Sequence, residues 1–212
     1  MARAKICGLN SAGAIDAAVA AGADWIGFVF FPPSPRAVTA AEAATLAARH
    51  GGGPPRVGLF VAPADAEIEA VLAALPLDVL QLHRVDPARA AALRTRFARP
   101  VWRAVEIATA ADLPNTAPGI DALLLDARPP ENATRPGGNA RRFDWSLLAG
   151  WQAPAPWLLA GGLTPANVAA AIRATGAEAV DVSSGVESAP GVKDAALIRA
   201  FVAAAHGVER GS

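Results

Sequence analysis

Cysteine is nearly missing from this chain of 212 residues, Cys7 being the only one. A lone cysteine cannot form an internal disulfide, so a disulfide framework is excluded and Cys7 is either a small buried hydrophobe or a reactive group. An excess of either charge is missing too, with 19 Lys plus Arg against 19 Asp plus Glu. Without a global positive field the chain has nothing to gather phosphate backbone or an anionic membrane surface, which sets nucleic acid and membrane aside as partners. Histidine is scarce: His50, His83 and His206 are scattered without metal-ligand spacing, so no metal site is expected. No apolar run approaches the roughly 18 residues of a membrane span. After the basic start at Arg3 and Lys5, residues Asn10, Ser11 and Asp16 interrupt the run that an export signal needs. One cysteine and no such signal make a reducing cytoplasm the expected location.

Apolar residues, by contrast, are plentiful. They make up 53% of the chain against 18% charged, enough for a generous core. No linker or composition break divides the chain, so one domain over 1–212 is expected. Short β-type runs recur at 3–7, 25–30, 56–61, 78–82, 101–105, 121–126, 156–160 and 179–182. Between them lie Ala-rich segments with helical spacing at 11–21, 39–49, 65–74, 87–97, 109–113, 144–149, 165–174 and 194–205, the fifth and sixth of them short. Thr39 ahead of AAEAATLAARH and Thr164-Pro165 ahead of ANVAAAIRA supply the cap oxygen and first-turn proline of helix starts. Eight such units predict an α/β fold with a parallel sheet and right-handed crossovers, closed into a (β/α)8 TIM barrel. The length is near the lower end for that fold, which keeps a doubly wound open sheet as the alternative.

A barrel concentrates its chemistry at the C-terminal ends of its strands. Cys7 ends the first run, Arg36 lies after the second, His83 follows the fourth and Asp126 ends the sixth. Gly161 and Gly162 follow the seventh, and Ser183, Ser184 and Gly185 the eighth. All fall on one face of the expected barrel. On the residues alone, Arg36 fits a surface ion pair and Asp126 a loop cap as readily as functional roles. The motifs KICGL (5–9), GADWIGFVF (22–30), SPR (34–36), VGLFV (57–61), LQLH (80–83), LLLD (123–126), FDW (143–145), LAGGL (159–163) and DVSSGVESAPGVKD (181–194) run in order over nearly the whole chain. Together they resemble the phosphoribosylanthranilate isomerases of tryptophan biosynthesis. KICGL with DVSSGVE is highly specific, whereas something like LAGGL occurs in many phosphate-binding barrels.

The resemblance implies an isomerase that needs no cofactor and performs an Amadori rearrangement. Its substrate is N-(5-phosphoribosyl)anthranilate and its product 1-(2-carboxyphenylamino)-1-deoxyribulose 5-phosphate. Asp126 is then the acid at the ribose ring oxygen, and Cys7 the base for the proton on C2 of the sugar. An unperturbed Asp titrates at about 4 and an unperturbed Cys at about 8.5, so each is in the wrong form at neutral pH unless its surroundings shift it. Desolvation and nearby negative charge would raise Asp126; a cationic neighbour or amide dipoles would lower Cys7. By the same resemblance, Arg36 pairs its planar fork with the anthranilate carboxylate. His83 and Asp181 contact the substrate, Asp181 at the sugar hydroxyls. The phosphate rests on backbone amides at Gly161, Gly162, Ser184 and Gly185.

Several positions depart from the family pattern. Arg84 stands where the family usually has Gly, Ala62 where it has Asn, and Arg103 where it commonly has Lys. The stretch Gly137-Gly138-Asn139-Ala140 ends in Ala where the family has Gly. An alanine at positive φ is penalised by about 1 kcal/mol, so Ala140 bears on the closure of the 127–142 loop, whose Pro and Gly content suits a lid. Arg128, Arg135, Arg141 and Arg142 make that loop basic, suited to a doubly anionic substrate. Two other readings stay open at this point. A related barrel isomerase of histidine biosynthesis calls for Asp rather than Cys7 as base, and a phosphosugar-binding protein on the same barrel would convert nothing. The expected partner is a phosphorylated small molecule. Monomer and homodimer, alone or beside other tryptophan-pathway enzymes, are both compatible with the sequence.

Overall fold

The computed structural model describes residues 1–130, 137–138 and 141–208. Strands β1 (Arg3–Cys7), β2 (Trp25–Val29), β3 (Arg56–Val61), β4 (Val79–His83), β5 (Val101–Ile107), β6 (Ala122–Ala127), β7 (Trp157–Leu159) and β8 (Ala179–Val182) pair in sequence order. β8 returns to β1 in parallel, from Arg3 opposite Ala179 to Ile6 opposite Val182. That pairing closes the barrel and removes the open sheet from consideration.

Helices α1 (Ala12–Ala20), α2 (Ala40–Ala47), α3 (Asp65–Ala74), α4 (Pro87–Phe97), α5 (Val168–Thr175) and α6 (Ala195–His206) alternate with the strands. Ser11, Thr39, Asp86 and Asp194 each accept from a first-turn amide, and Glu42 completes a capping box with Thr39. The two short segments expected at 109–113 and 144–149 are single 3-10 turns, Ala110–Asp112 and Trp145–Leu148. α5 starts later than the Thr164-Pro165 signal indicates. Asn167 Oδ1 accepts from the Thr164 amide at 2.8 Å and its Nδ2 donates to the Gly162 carbonyl at 3.0 Å, so residues 164–167 make a separate turn before the helix.

Strand alternation sorts the apolar side chains into two cores. Ile6, Phe28, Leu80, Leu125 and Val180 join the core shared with the helices. Val57, Val79, Trp102, Leu124, Leu158 and Ala179 fill the barrel itself, with Trp25 packed against them. Trp25 and Trp102 meet edge to face toward its N-terminal end, 5.2 Å between centroids. Nearer the C-terminal end the inward positions turn polar: Lys5, Gln81, His83, Asp126 and Asp181, joined by Cys7. With Arg36, those five are all the buried polar or charged residues among the described ones. A fold that buries polar groups in only one place spends its desolvation cost there, which marks the place as functional.

After β8 the chain makes a 3-10 turn, Ser184–Val186, and a hairpin of β9 (Glu187–Ala189) and β10 (Val192–Lys193). This hairpin is absent from the expected element order. Asn10 Nδ2 donates to the Gly191 carbonyl at 3.0 Å, and Gly191 lies against the Pro35 carbonyl. The hairpin is therefore strapped to the loops after β1 and β2.

Candidate active site

Lys5 and Cys7 lie two residues apart on β1, so both point into the barrel. Lys5 is fully buried and its Nζ donates to Asp181 Oδ1 at 2.8 Å. Asp181 sits opposite Lys5 in the β1–β8 register, and Gly27 sits opposite Cys7 in the β1–β2 register. Burial would lower the Lys5 ammonium, but the charges of Asp181 and Cys7 outweigh it and hold it above its ordinary value. Burial pushes the Cys7 thiol up, with Lys5 and Lys193 pulling it down and Asp181 adding to the rise. The cationic neighbour expected for Cys7 is thus present, but burial outweighs it in the free protein.

Asp126 lies near the end of β6, where its Oδ1 accepts from the next amide, Ala127, at 2.8 Å. Burial pushes its carboxyl up to about 7, helped by the charges of Asp181 and Glu106 and opposed by the Ala127 amide and Lys5. An acid poised there can donate a proton at neutral pH. His83 is the last residue of β4 rather than a loop residue after it. Burial, then Lys5 and Arg84, hold it down to about 3, so it is neutral. The Gln81 side-chain amide lies 2.9 Å from His83 Nε2 and fixes the ring on that side. Gln81 Oε1 is buried without a partner among the described residues.

Arg36 is no surface ion pair, being 3% exposed. Its Nε and Nη2 donate to the two Glu187 oxygens at 2.6 and 2.8 Å. Glu187 also accepts from Lys193 Nζ at 2.8 Å and from the Gly191 amide at 3.1 Å. Burial would raise Glu187, but Arg36 and Lys193 hold it down at about 2. The clamp occupies Nε and Nη2, Nη1 lies against Gly138, and Arg36 lines the same pocket as Cys7, His83 and Asp126.

Beyond Asp126 the cavity continues between the loops after β7 and β8. Gly161 and Gly162 have φ of +86° and +60°. A Cβ on Gly161 would sit 2.8 Å from the Ala127 nitrogen, and one on Gly162 2.8 Å from the Arg141 carbonyl oxygen, so only glycine fits. A Cβ on Gly185 would run into the Leu163 carbonyl, so the two loops touch. Among the described residues no acceptor meets the Gly161 and Gly162 amides. Ser184 and Gly185 complete this lining, and Asp126, Asp181 and Ser183 border both halves of the cavity.

The expected site residues Cys7, Arg36, His83, Asp126 and Asp181, and the four phosphate-loop residues, therefore line one continuous cleft. The arginines of the 127–142 loop divide. Arg128 pairs with Asp112 at 2.5 Å and Arg142 stacks over Trp145, leaving Arg141 at the glycine loops. Arg135, Asn139 and Ala140 lie outside the described residues. Of the other departures, Ala62 and Arg84 adopt φ of 44° and 53°, the left-handed region that Asn and Gly favour. Arg103 Nε donates to the Val85 carbonyl at 3.0 Å. Lys5, Gln81, Glu187 and Lys193 were not singled out as functional by the sequence. The signal for Lys5 and Gln81 was the strand period, which places each two residues before an expected site residue. No group of three or more His, Cys, Asp or Glu among the described residues is arranged to hold a metal ion.

Comparison with known proteins identifies the family and the fold. The chain is 61% identical over 204 residues to the N-(5'-phosphoribosyl)anthranilate isomerase of Granulibacter bethesdensis, covering 96% of this chain and 98% of that one. Its fold superposes with a TM-score of 0.84 on TrpF from Jonesia denitrificans, at 43% identity and 98% coverage of each chain. It superposes with a TM-score of 0.83, at 32% identity over 98% of this chain and 100% of the other, on a phosphoribosylanthranilate isomerase solved in complex with reduced 1-(o-carboxyphenylamino)-1-deoxyribulose 5-phosphate. The family model described as N-(5'-phosphoribosyl)anthranilate (PRA) isomerase matches residues 4–204, and the chain belongs to that family.

Proposed function

We propose that this chain isomerises N-(5'-phosphoribosyl)anthranilate to 1-(2-carboxyphenylamino)-1-deoxyribulose 5-phosphate in tryptophan biosynthesis, with Asp126 as the acid and Cys7 as the base. The carrying observation is one buried cleft that holds a carboxyl raised to about 7 and the only thiol of the chain. Asp126 gives its proton to the ribose ring oxygen as the C1–O bond breaks and the anthranilate nitrogen lone pair forms the Schiff base. Cys7, as thiolate, then takes the proton from C2, and the C2–H electron pair becomes the C1–C2 double bond of the enol-amine. Tautomerisation returns a proton to C1 and leaves the ketone at C2. The rearrangement is an internal redox exchange between C1 and C2, so no external electron acceptor enters it.

The two ends of the cleft suit the two anionic ends of the substrate. Arg36, held on its Nε edge by the Glu187 clamp, takes the anthranilate carboxylate. The amides of Gly161, Gly162, Ser184 and Gly185 take the phosphate. Neutral His83 offers the opened sugar a hydrogen bond without competing as a base. Asp181, held by Lys5, faces the sugar hydroxyls. The relative solved with reduced 1-(o-carboxyphenylamino)-1-deoxyribulose 5-phosphate binds a ligand with the same two anionic ends, which supports a substrate of this class. Cys7 as base also favours this reading over the histidine-pathway isomerase. For location, the structure adds that no helix among the described residues is long and apolar enough to cross a membrane.

The test is the loss of anthranilate fluorescence when purified protein meets freshly generated phosphoribosylanthranilate, with Asp126→Asn as control. Catalysed loss that disappears in the control supports the reading. A folded wild type that binds the product analogue and converts nothing would make it a phosphosugar-binding barrel.

A further inference from the structure

We infer that Lys5 is a positioning residue for the isomerisation: held by Asp181 beneath Cys7, its ammonium is the counter-ion that lets this thiol act as a base. The inference rests on the reading of Cys7 as the base and adds the group that makes the thiol usable.

A fully buried lysine in the middle of a barrel is costly, and a buried pair such as Lys5 with Asp181 can often be replaced by apolar residues without loss of stability. The layer below is already apolar, from Val57 and Val79 to Leu158 and Ala179. Packing alone therefore gives no reason for a charge at this position. The local geometry supplies one. Lys5 and Cys7 leave β1 on the same side, and the residue beside them on β2 is Gly27. A Cβ there would lie 3.1 Å from Cys7 Sγ and 3.2 Å from Lys5 Nζ, so the two groups bracket a gap that only glycine leaves open. This glycine has no positive φ to explain it; space for these two side chains does.

The other charges around Cys7 leave Lys5 as its main cation. Asp181 from β8 holds the ammonium in place, and its negative charge also works against the thiolate. Lys193 from β10 favours the thiolate less than Lys5 does, being bound to Glu187 and to the Ser183 carbonyl. Arg36 is engaged by the same Glu187. Asp126 from β6, with Glu106 of β5 beside it, and neutral His83 from β4 add no positive charge. Lys5 also acts on these neighbours, restraining the rise of Asp126 and opposing protonation of His83. One ammonium thus favours the Cys7 thiolate and the neutral His83 ring, while at Asp126 it works against the protonated form and is outweighed by burial.

The chain contains one cysteine and no tyrosine, so the ultraviolet absorbance of the thiolate can be titrated without phenolate overlap, using Cys7→Ser as the blank. In Lys5→Met the thiolate titration is expected to move up by about one pH unit, about a tenfold loss of thiolate at a given pH below its midpoint. If Lys5→Met does not fold, Lys5→Met/Asp181→Asn is compared with Asp181→Asn alone, which removes the stranded carboxylate and isolates the ammonium. An unmoved titration in the folded variant overturns the inference, whatever happens to turnover. Turnover that survives in Cys7→Ser removes Cys7 as the base instead, and leaves the titration result standing by itself.

Discussion

Replacing Asp126 with asparagine is expected to abolish turnover and, at alkaline pH, to stabilise the protein. The buried carboxyl is raised from 3.8 to about 7 in the folded chain. A folded state that holds a proton more tightly than the unfolded state loses stability as pH climbs from the unfolded value to the folded one. At about 1.4 kcal/mol per unit, the penalty approaches about 4 kcal/mol above pH 7, and about a third of that is present near pH 5. Asparagine can still accept from the Ala127 amide through its Oδ1 but carries no charge. The variant should therefore gain about 3 kcal/mol on wild type between about pH 5 and about pH 8. In a protein of this size that corresponds to a relative gain in Tm of about 5–10 °C. The contribution of His83, which stays neutral in both folded proteins over this range, cancels in the difference. Thermal or urea unfolding of both proteins across the pH series measures it. Stability curves that run parallel would show that Asp126 is not held as a neutral acid, and its assignment as proton donor would fail with them.

Further outcomes follow from the same site. Cys7→Ser should keep affinity for the product analogue while kcat falls by about 100-fold or more; titration calorimetry and steady-state rates separate the two. The proposed mechanism requires Asp126 protonated and Cys7 ionised, so kcat/KM should fall about tenfold per unit below about pH 7. Above that it should level off, as thiolate gained offsets acid lost, and decline once pH passes the raised thiol value. A profile that peaks near pH 5 would contradict both assignments. Glu187→Gln loosens Arg36 and should raise KM by about tenfold with a smaller effect on kcat; an unchanged KM would mean that Arg36 needs no clamp. Ala62 and Ala98 sit at φ of 44° and 49°. Their replacement by Gly should stabilise the chain by about 0.5–1 kcal/mol each after allowance for the freer unfolded backbone, measured by denaturant titration.

The barrel was legible because each strand is short, apolar and separated by an Ala-rich segment. Every strand lies within about two residues of its expected position. Cys7, His83 and Asp126 were legible for the same reason, as polar residues ending apolar runs. The residues that condition them were less so. Lys5 reads as part of a basic chain start until its strand is closed against β8, and only then does Asp181 come within reach of its ammonium. The Glu187 clamp depends on a hairpin whose strands of three and two residues are too short for a periodic signal. Its partner lies 151 residues away, at Arg36. The late start of α5 reflects a competition that local propensity does not resolve: Asn167 turns back to Thr164 and Gly162 instead of letting Thr164 cap the helix.

The turn after β8 and the hairpin behind it act as a caliper. Ser184 and Gly185 border the end of the cleft proposed for the phosphate, while Glu187, two residues further on, grips the arginine proposed for the carboxylate. The gap between the two jaws is thus fixed within a few residues of backbone, itself strapped down by Asn10 and seated against Pro35. A ligand is then gauged by the distance between its two negative ends as well as by their chemistry. On the proposed reading, inorganic phosphate or free anthranilate would engage one jaw only, and a sugar phosphate whose second anion lies too near or too far would not engage both at once. Discrimination by reach of this kind requires no contact with the middle of the molecule, which leaves Cys7 and Asp126 free for chemistry.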